Sequence, residues 1–152
     1  MNKLKSHSPS EAADAIVVSF EAKWGTILKE QDVSRLFRKR APRVRPKYLY
    51  AYIGSPVSAV IGRIEVTALE LISSEDAIKL CHLGAISEKD LNRYSESYDS
   101  LQVYSVKPIE LSTSPIPLVE LQAQYNFSPP QSFLVLSVSG RAELDKKAGF
   151  AR

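Results

Sequence analysis

The chain has 152 residues, 44% hydrophobic and 24% charged, with a net charge of +3, a size and mixture that suit one globular domain with a core of its own. A single cysteine, Cys81, excludes a disulfide framework and a zinc-thiolate cluster, and two histidines, His7 and His82, exclude a multi-histidine metal centre. No apolar run approaches the length of a membrane-spanning helix, and the polar N-terminus lacks a signal-type segment, so a soluble, cytoplasmic protein without a cofactor is expected.

Residues 1–14 are polar and read as a flexible tail, with the folded domain over 15–138. Ala15–Phe20 (AIVVSF) is a β-branched run expected to form a buried strand. Trp24, Ile27 and Leu28 fall at helical spacing within Glu21–Glu30, so a short amphipathic helix follows. Ser34–Arg38 predicts a strand with Leu36 facing inward, and Pro42 and Pro46 then impose a loop. Lys47–Ile53 alternates aromatic and aliphatic residues as a strand does.

After the Gly54-Ser55-Pro56 break comes a long apolar run, Val57–Ile72, with Gly62 marking a bulge or a close backbone approach. Ser73 and Ser87 each precede an aspartate by three residues, the spacing of helix caps, and the second helix is expected over Glu88–Tyr98. Leu101–Leu111 reads as a strand disturbed by Pro108, Ser112–Pro117 as a connector, Leu118–Gln124 as helical turns, and Ser132–Ser139 as the last strand. Residues 139–152 are polar and read as a fraying tail. Five or six strands with three short helices favour an α+β fold of barrel type.

Charge is unevenly distributed. Residues 33–64 contain no acid and carry Arg35, Arg38, Lys39, Arg40, Arg43, Arg45, Lys47 and Arg63, so the rest of the chain has a net charge of −5. This stretch runs into Tyr48, Tyr50 and Tyr52. Guanidinium groups beside aromatic rings suit a ligand that combines phosphates with flat bases. A solvated basic loop leading into an ordinary strand is the competing reading, and the three tyrosines share one strand face, so at least one belongs in the core. The segment 65–99 carries eight acids against Lys79, Lys89 and Arg93, a surface that could meet a basic protein partner.

Three segments in order, FRKRAP (Phe37–Pro42), YIGSPVSAVIGRIEV (Tyr52–Val66) and PPQSF (Pro129–Phe133), resemble the ASCH domain of the PUA-like superfamily. The closest likeness is to small prokaryotic ASCH proteins described as predicted transcriptional regulators. The resemblance covers roughly residues 15–138 and implies a PUA-like mixed β-barrel with helices at its ends. It also implies a cleft beside the first helix that takes RNA or a modified base. Carried over by position, the basic strand falls on Arg38, Lys39 and Arg40, the Ser-Pro turn on Ser55 and Pro56, and a Gln-Ser pair on Gln131 and Ser132. With Arg35, Arg43, Arg45, Lys47 and Tyr52, these form the expected nucleic-acid-binding set, for RNA or single-stranded or modified nucleic acid.

Some members of the family look catalytic, as ribonucleases or as an amidohydrolase acting on acetylated cytidine. The lysine and threonine of the amidohydrolase pattern are occupied here by Val33 and Ser34. A serine without a neighbouring base is a weak nucleophile, so that chemistry is not expected, while a ribonuclease acting by positioning and charge remains open. A protein-interaction module in transcription regulation is the third class, and the chain has no room for a separate helix-turn-helix domain, which weakens a stand-alone repressor.

Overall fold

The computed structural model describes residues 15–129 and 132–150. The elements run β1 (Ala15–Phe20), α1 (Trp24–Glu30), β2 (Arg35–Arg38), β3 (Tyr48–Ile53), β4 (Ala59–Ser73) and α2 (Ser74–Ile78). A 3-10 turn (Cys81–Gly84) leads to α3 (Glu88–Tyr94), β5 (Ser100–Val106) and β6 (Glu110–Pro117). The chain then forms α4 (Leu118–Tyr125), β7 (Leu134–Leu136) and α5 (Val138–Ala148).

The strands make one mixed sheet in the order β2-β5-β4-β3-β1-β7, with β6 on the free edge of the first half of β4. β1 and β3 pair in parallel from Ala15 with Tyr48 to Phe20 with Ile53, and the remaining pairs are antiparallel. The α+β class is as expected. The barrel is not: β2 and β7 end the pairing path, and no pairing among the described residues joins them.

The alternation of β1 explains why its sequence is apolar throughout. Ile16, Val18 and Phe20 enter one core with Leu28, Leu36, Leu49, Ile53 and Ile64, while Ala15 and Val17 enter another with Tyr50, Tyr52, Phe127 and Leu144. A strand covered on both faces reads as a continuous hydrophobic run. A third, smaller core under α2 and α3 holds Ala77, Leu91, Leu101 and Val103.

β4 serves two sheet regions by shifting register near Gly62 and again between Val66 and Ala68. A Cβ on Gly62 would stand 2.6 Å from the Glu110 carbonyl oxygen and 2.9 Å from the Ile109 side chain, so only glycine lets β6 close on this edge. Both serine caps form: Ser73 Oγ accepts the Asp76 N–H at 3.1 Å, and Ser87 Oγ accepts the Asp90 N–H at 3.0 Å. Among the described residues, no helix is long and apolar enough to cross a membrane.

Several expectations fail in the last third. Leu101–Leu111, expected as one strand, ends at Val106 and its last two residues open β6, and the last strand is only Leu134–Leu136. Ser112–Pro117 lies within strand β6, whose prolines are tolerated because it is an edge. The expected tail after residue 139 is helix α5, capped by Ser137 Oγ on the Gly140 N–H and ended by Gly149 at φ +83°. Its polar sequence concealed Leu144, Asp145 and Ala148, which are all buried.

Candidate functional site

A cleft of about 560 Å³ lies between the end of β1, the first turn of α1, β2 and α3. Its existence follows from the elements around it. β1 ends at Phe20, β2 is only four residues long, and α3 packs across β2 through Leu91, leaving a gap beside Trp24. The rings lining it are Phe20, Trp24, Phe37 and Tyr94; the cations are Lys23, Arg35, Arg38 and Arg93; the acids are Glu21 and Asp90.

The Phe20 and Trp24 rings lie 6.1 Å apart at 48°, and the Arg38 guanidinium sits over Phe20 at 5.4 Å from its centroid. The Arg35 guanidinium donates through Nη1 to the neighbouring Ser34 carbonyl at 3.0 Å, and the residue is half-buried. Tyr94 closes the α3 side. Burial raises its pKa, opposed by the charge of Arg38 and by the Lys39 N–H that donates to its hydroxyl at 3.1 Å. The Lys39 ammonium lies 4.7 Å from the Tyr94 ring and 5.1 Å from that of Tyr98, so it braces the outer side of α3.

Of the residues expected from sequence that are described, only Arg35 and Arg38 line this cleft, and Lys39 reaches it through Tyr94. Arg40 and Arg43 are exposed in the loop that follows β2. Arg45 is drawn the other way, donating to the carbonyls of Thr67 at 2.6 Å and Val66 at 3.4 Å, so it ties the loop to β4. Lys47 is exposed, 5.8 Å from the Tyr48 ring at the start of β3.

Tyr52 cannot bind a ligand: it is 2% exposed and packs edge-on against Phe127 at 5.0 Å. Ser55 and Pro56 are exposed, joined by a cis peptide bond, in a turn held to the end of β1 by the Gly54 N–H donating to the Phe20 carbonyl at 2.9 Å. They adjoin the cleft without lining it. Gln131 lies outside the described residues. Ser132 is exposed, and the antiparallel register of β7 on β1 carries it toward the Phe20 end.

Arg63, counted with the basic stretch by sequence, belongs to a separate buried polar group. It pairs with Glu110 at 2.7 Å and Asp145 at 3.2 Å, and lies over the rings of Tyr48 at 4.6 Å and Phe150 at 4.8 Å. Tyr50 donates to Asp145, which also faces Arg141 at 3.5 Å. Burial, then the Asp145 carboxylate, pushes the Tyr50 hydroxyl pKa well up. This group ties α5 to the sheet.

Sequence reasoning missed Lys23, Arg93 and Tyr94 as cleft residues and placed Trp24 only on a helix face. Arg93 and Tyr94 come from the segment read as acidic, and only the packing of α3 on β2 brings them to the basic strand. Ser34, at the position of the amidohydrolase hydroxyl, instead donates to the Leu83 carbonyl at 3.4 Å, beside a buried Val33. Among the described residues, no cluster of three or more His, Cys, Asp or Glu side chains is placed to hold a metal ion.

No protein-family model and no curated protein matches this sequence. Solved structures do match. The crystal structure of the ASCH protein of Zymomonas mobilis superposes with a TM-score of 0.80 at 20% identity, over 91% of this chain and 99% of that one. A mutant form of the same protein gives 0.79, over 91% and 98%. The N-terminal domain of McrB from Staphylothermus marinus gives 0.59 at 10% identity, over 89% and 94%. The chain therefore has the fold of the solved ASCH protein, the fold that its FRKRAP, YIGSPVSAVIG and PPQSF segments resemble.

Proposed function

We propose that the protein binds RNA, or single-stranded or modified nucleic acid, in the cleft between α1 and α3. The observation that carries this reading is the meeting of Arg35 and Arg38 with Phe20, Trp24 and Tyr94 in one concavity. The volume of about 560 Å³ falls among ordinary small-ligand sites and can admit one base. Guanidinium groups at the rim hold phosphates, and an unpaired base finds rings to stack on. Arg40, Arg43 and Lys47 extend the positive surface along the strand leaving the cleft. The Ser55-Pro56 turn and Ser132 stand near the same end of β1 as secondary contacts, and Gln131 remains with them as an expected contact.

Amidohydrolase chemistry on acetylated cytidine is not part of this reading, because Ser34 is turned to a backbone carbonyl and Val33 cannot take a proton. A ribonuclease working by cation positioning would use the same cleft and the same arginines.

Anisotropy titrations of labelled RNA and DNA oligonucleotides at two salt concentrations test the proposal. Binding is expected at low salt, with log affinity falling by about 0.7 per phosphate contact for each tenfold rise in salt. Arg35→Ala combined with Arg38→Ala should weaken binding and flatten that slope. Absence of binding at low salt would end the reading. Retention of a basic protein by the exposed acids Glu70, Glu75, Glu88, Glu96 and Asp99, with indifference to nucleic acid, would favour the interaction module instead.

A further inference from the structure

A site for phosphates alone has no use for carboxylates, yet Glu21 and Asp90 line the same cleft as the arginines. They enter from opposite walls, Glu21 directly after β1 and Asp90 from the first turn of α3. Asp90 is half-buried and Glu21 exposed, and neither forms an ion pair among the described residues. The Asp90 backbone N–H is already taken by Ser87 Oγ, so this residue has only oxygen acceptors to offer a ligand in the cleft.

A carboxylate accepts hydrogen bonds and repels both phosphate oxygens and base carbonyls. We infer that the cleft selects a base that carries an exocyclic amine, cytosine, adenine or guanine, over uracil, with the phosphates kept to Arg35 and Arg38. This rests on the proposed nucleic-acid reading and names the ligand class within it. Cytosine offers its exocyclic amine where uracil offers a carbonyl of the same size. Shape and stacking therefore change little between the two, and the acceptor at Asp90 decides.

The test measures affinities for single-stranded oligocytidine and oligouridine of equal length at one low salt concentration. The native protein, Asp90→Asn and Glu21→Gln are compared, with circular dichroism and melting confirming that each variant is folded. The native protein should prefer oligocytidine by roughly tenfold, the scale of one charge-assisted hydrogen bond. Asp90→Asn should bring that ratio close to one by strengthening oligouridine binding, because an amide can also donate. Binding of both oligonucleotides with ratios unchanged in both variants would overturn the inference and leave the nucleic-acid reading standing. Binding of neither by the native protein would remove both.

Discussion

Arg38 and Arg63 show how residues of one type in one sequence stretch acquire different duties. Arg38 lies over Phe20 and lines the cleft, whereas Arg63 is 6% exposed and held by Glu110 and Asp145. Charge counting cannot separate them, because the partners of Arg63 lie far along the chain. The buried group gives a stability prediction. Asp145→Ala strips Arg63 and Tyr50 of a shared partner and leaves a buried cation undercompensated, a loss of about 3 kcal/mol in chemical denaturation. Asp145→Asn keeps a hydrogen-bond acceptor for Tyr50 and should cost less. Equal stability of Asp145→Ala and the native protein would show that the group does not anchor α5.

At the scale of elements, apolar patterning made the first five strands legible. β1, β3 and β4 combine β-branched and aromatic residues with clear breaks at Gly54 and at Ser73, and both serine caps stand where the spacing placed them. β6 was hidden because its prolines signal a connector, and only its place on the edge of β4 shows why they are allowed. Helix α5 was hidden because one of its three buried positions is an aspartate, which pairs with the distant Arg63 and with Arg141 one turn before it. The cleft was half legible: β2 displays its arginines in sequence, but the 3-10 turn that leads into α3 packs on β2 only because residue 84 is glycine, where a Cβ would meet Phe37 at 2.6 Å and the Arg35 carbonyl at 2.8 Å. Gly62 offers the simplest test of the sheet. Gly62→Ala drives a methyl group into the Glu110 carbonyl and should destabilise the fold by about 2 kcal/mol, read from denaturation midpoints. An unchanged midpoint would mean that β6 does not close on β4 as described.

Over the whole molecule, buried tyrosines set the alkaline limit. Burial, opposed by the charge of Arg38, pushes Tyr104 from 10.0 up to about 12, and Tyr50 and Tyr94 are also raised. The folded state therefore holds these protons more tightly than the unfolded chain. The stability this contributes is intact below pH 10, declines from about 10 to about 12 as the unfolded chain ionises first, and is gone above that. Unfolding free energy followed against pH should fall across that window, together with a late fraction of the tyrosinate absorbance. A flat profile to pH 12 would contradict the burial of Tyr104.

The only tryptophan, Trp24, lines the proposed site and reports on it directly. Titration of the protein with single-stranded RNA, reading Trp24 fluorescence alongside the anisotropy of the labelled strand, tests whether nucleic acid enters this cleft. The account predicts that Trp24 emission changes along the same binding curve as the anisotropy, and that both shift to higher RNA concentration in Arg38→Ala and in added salt. Binding seen by anisotropy with Trp24 emission unchanged would place the ligand on the basic loop alone and contradict the account.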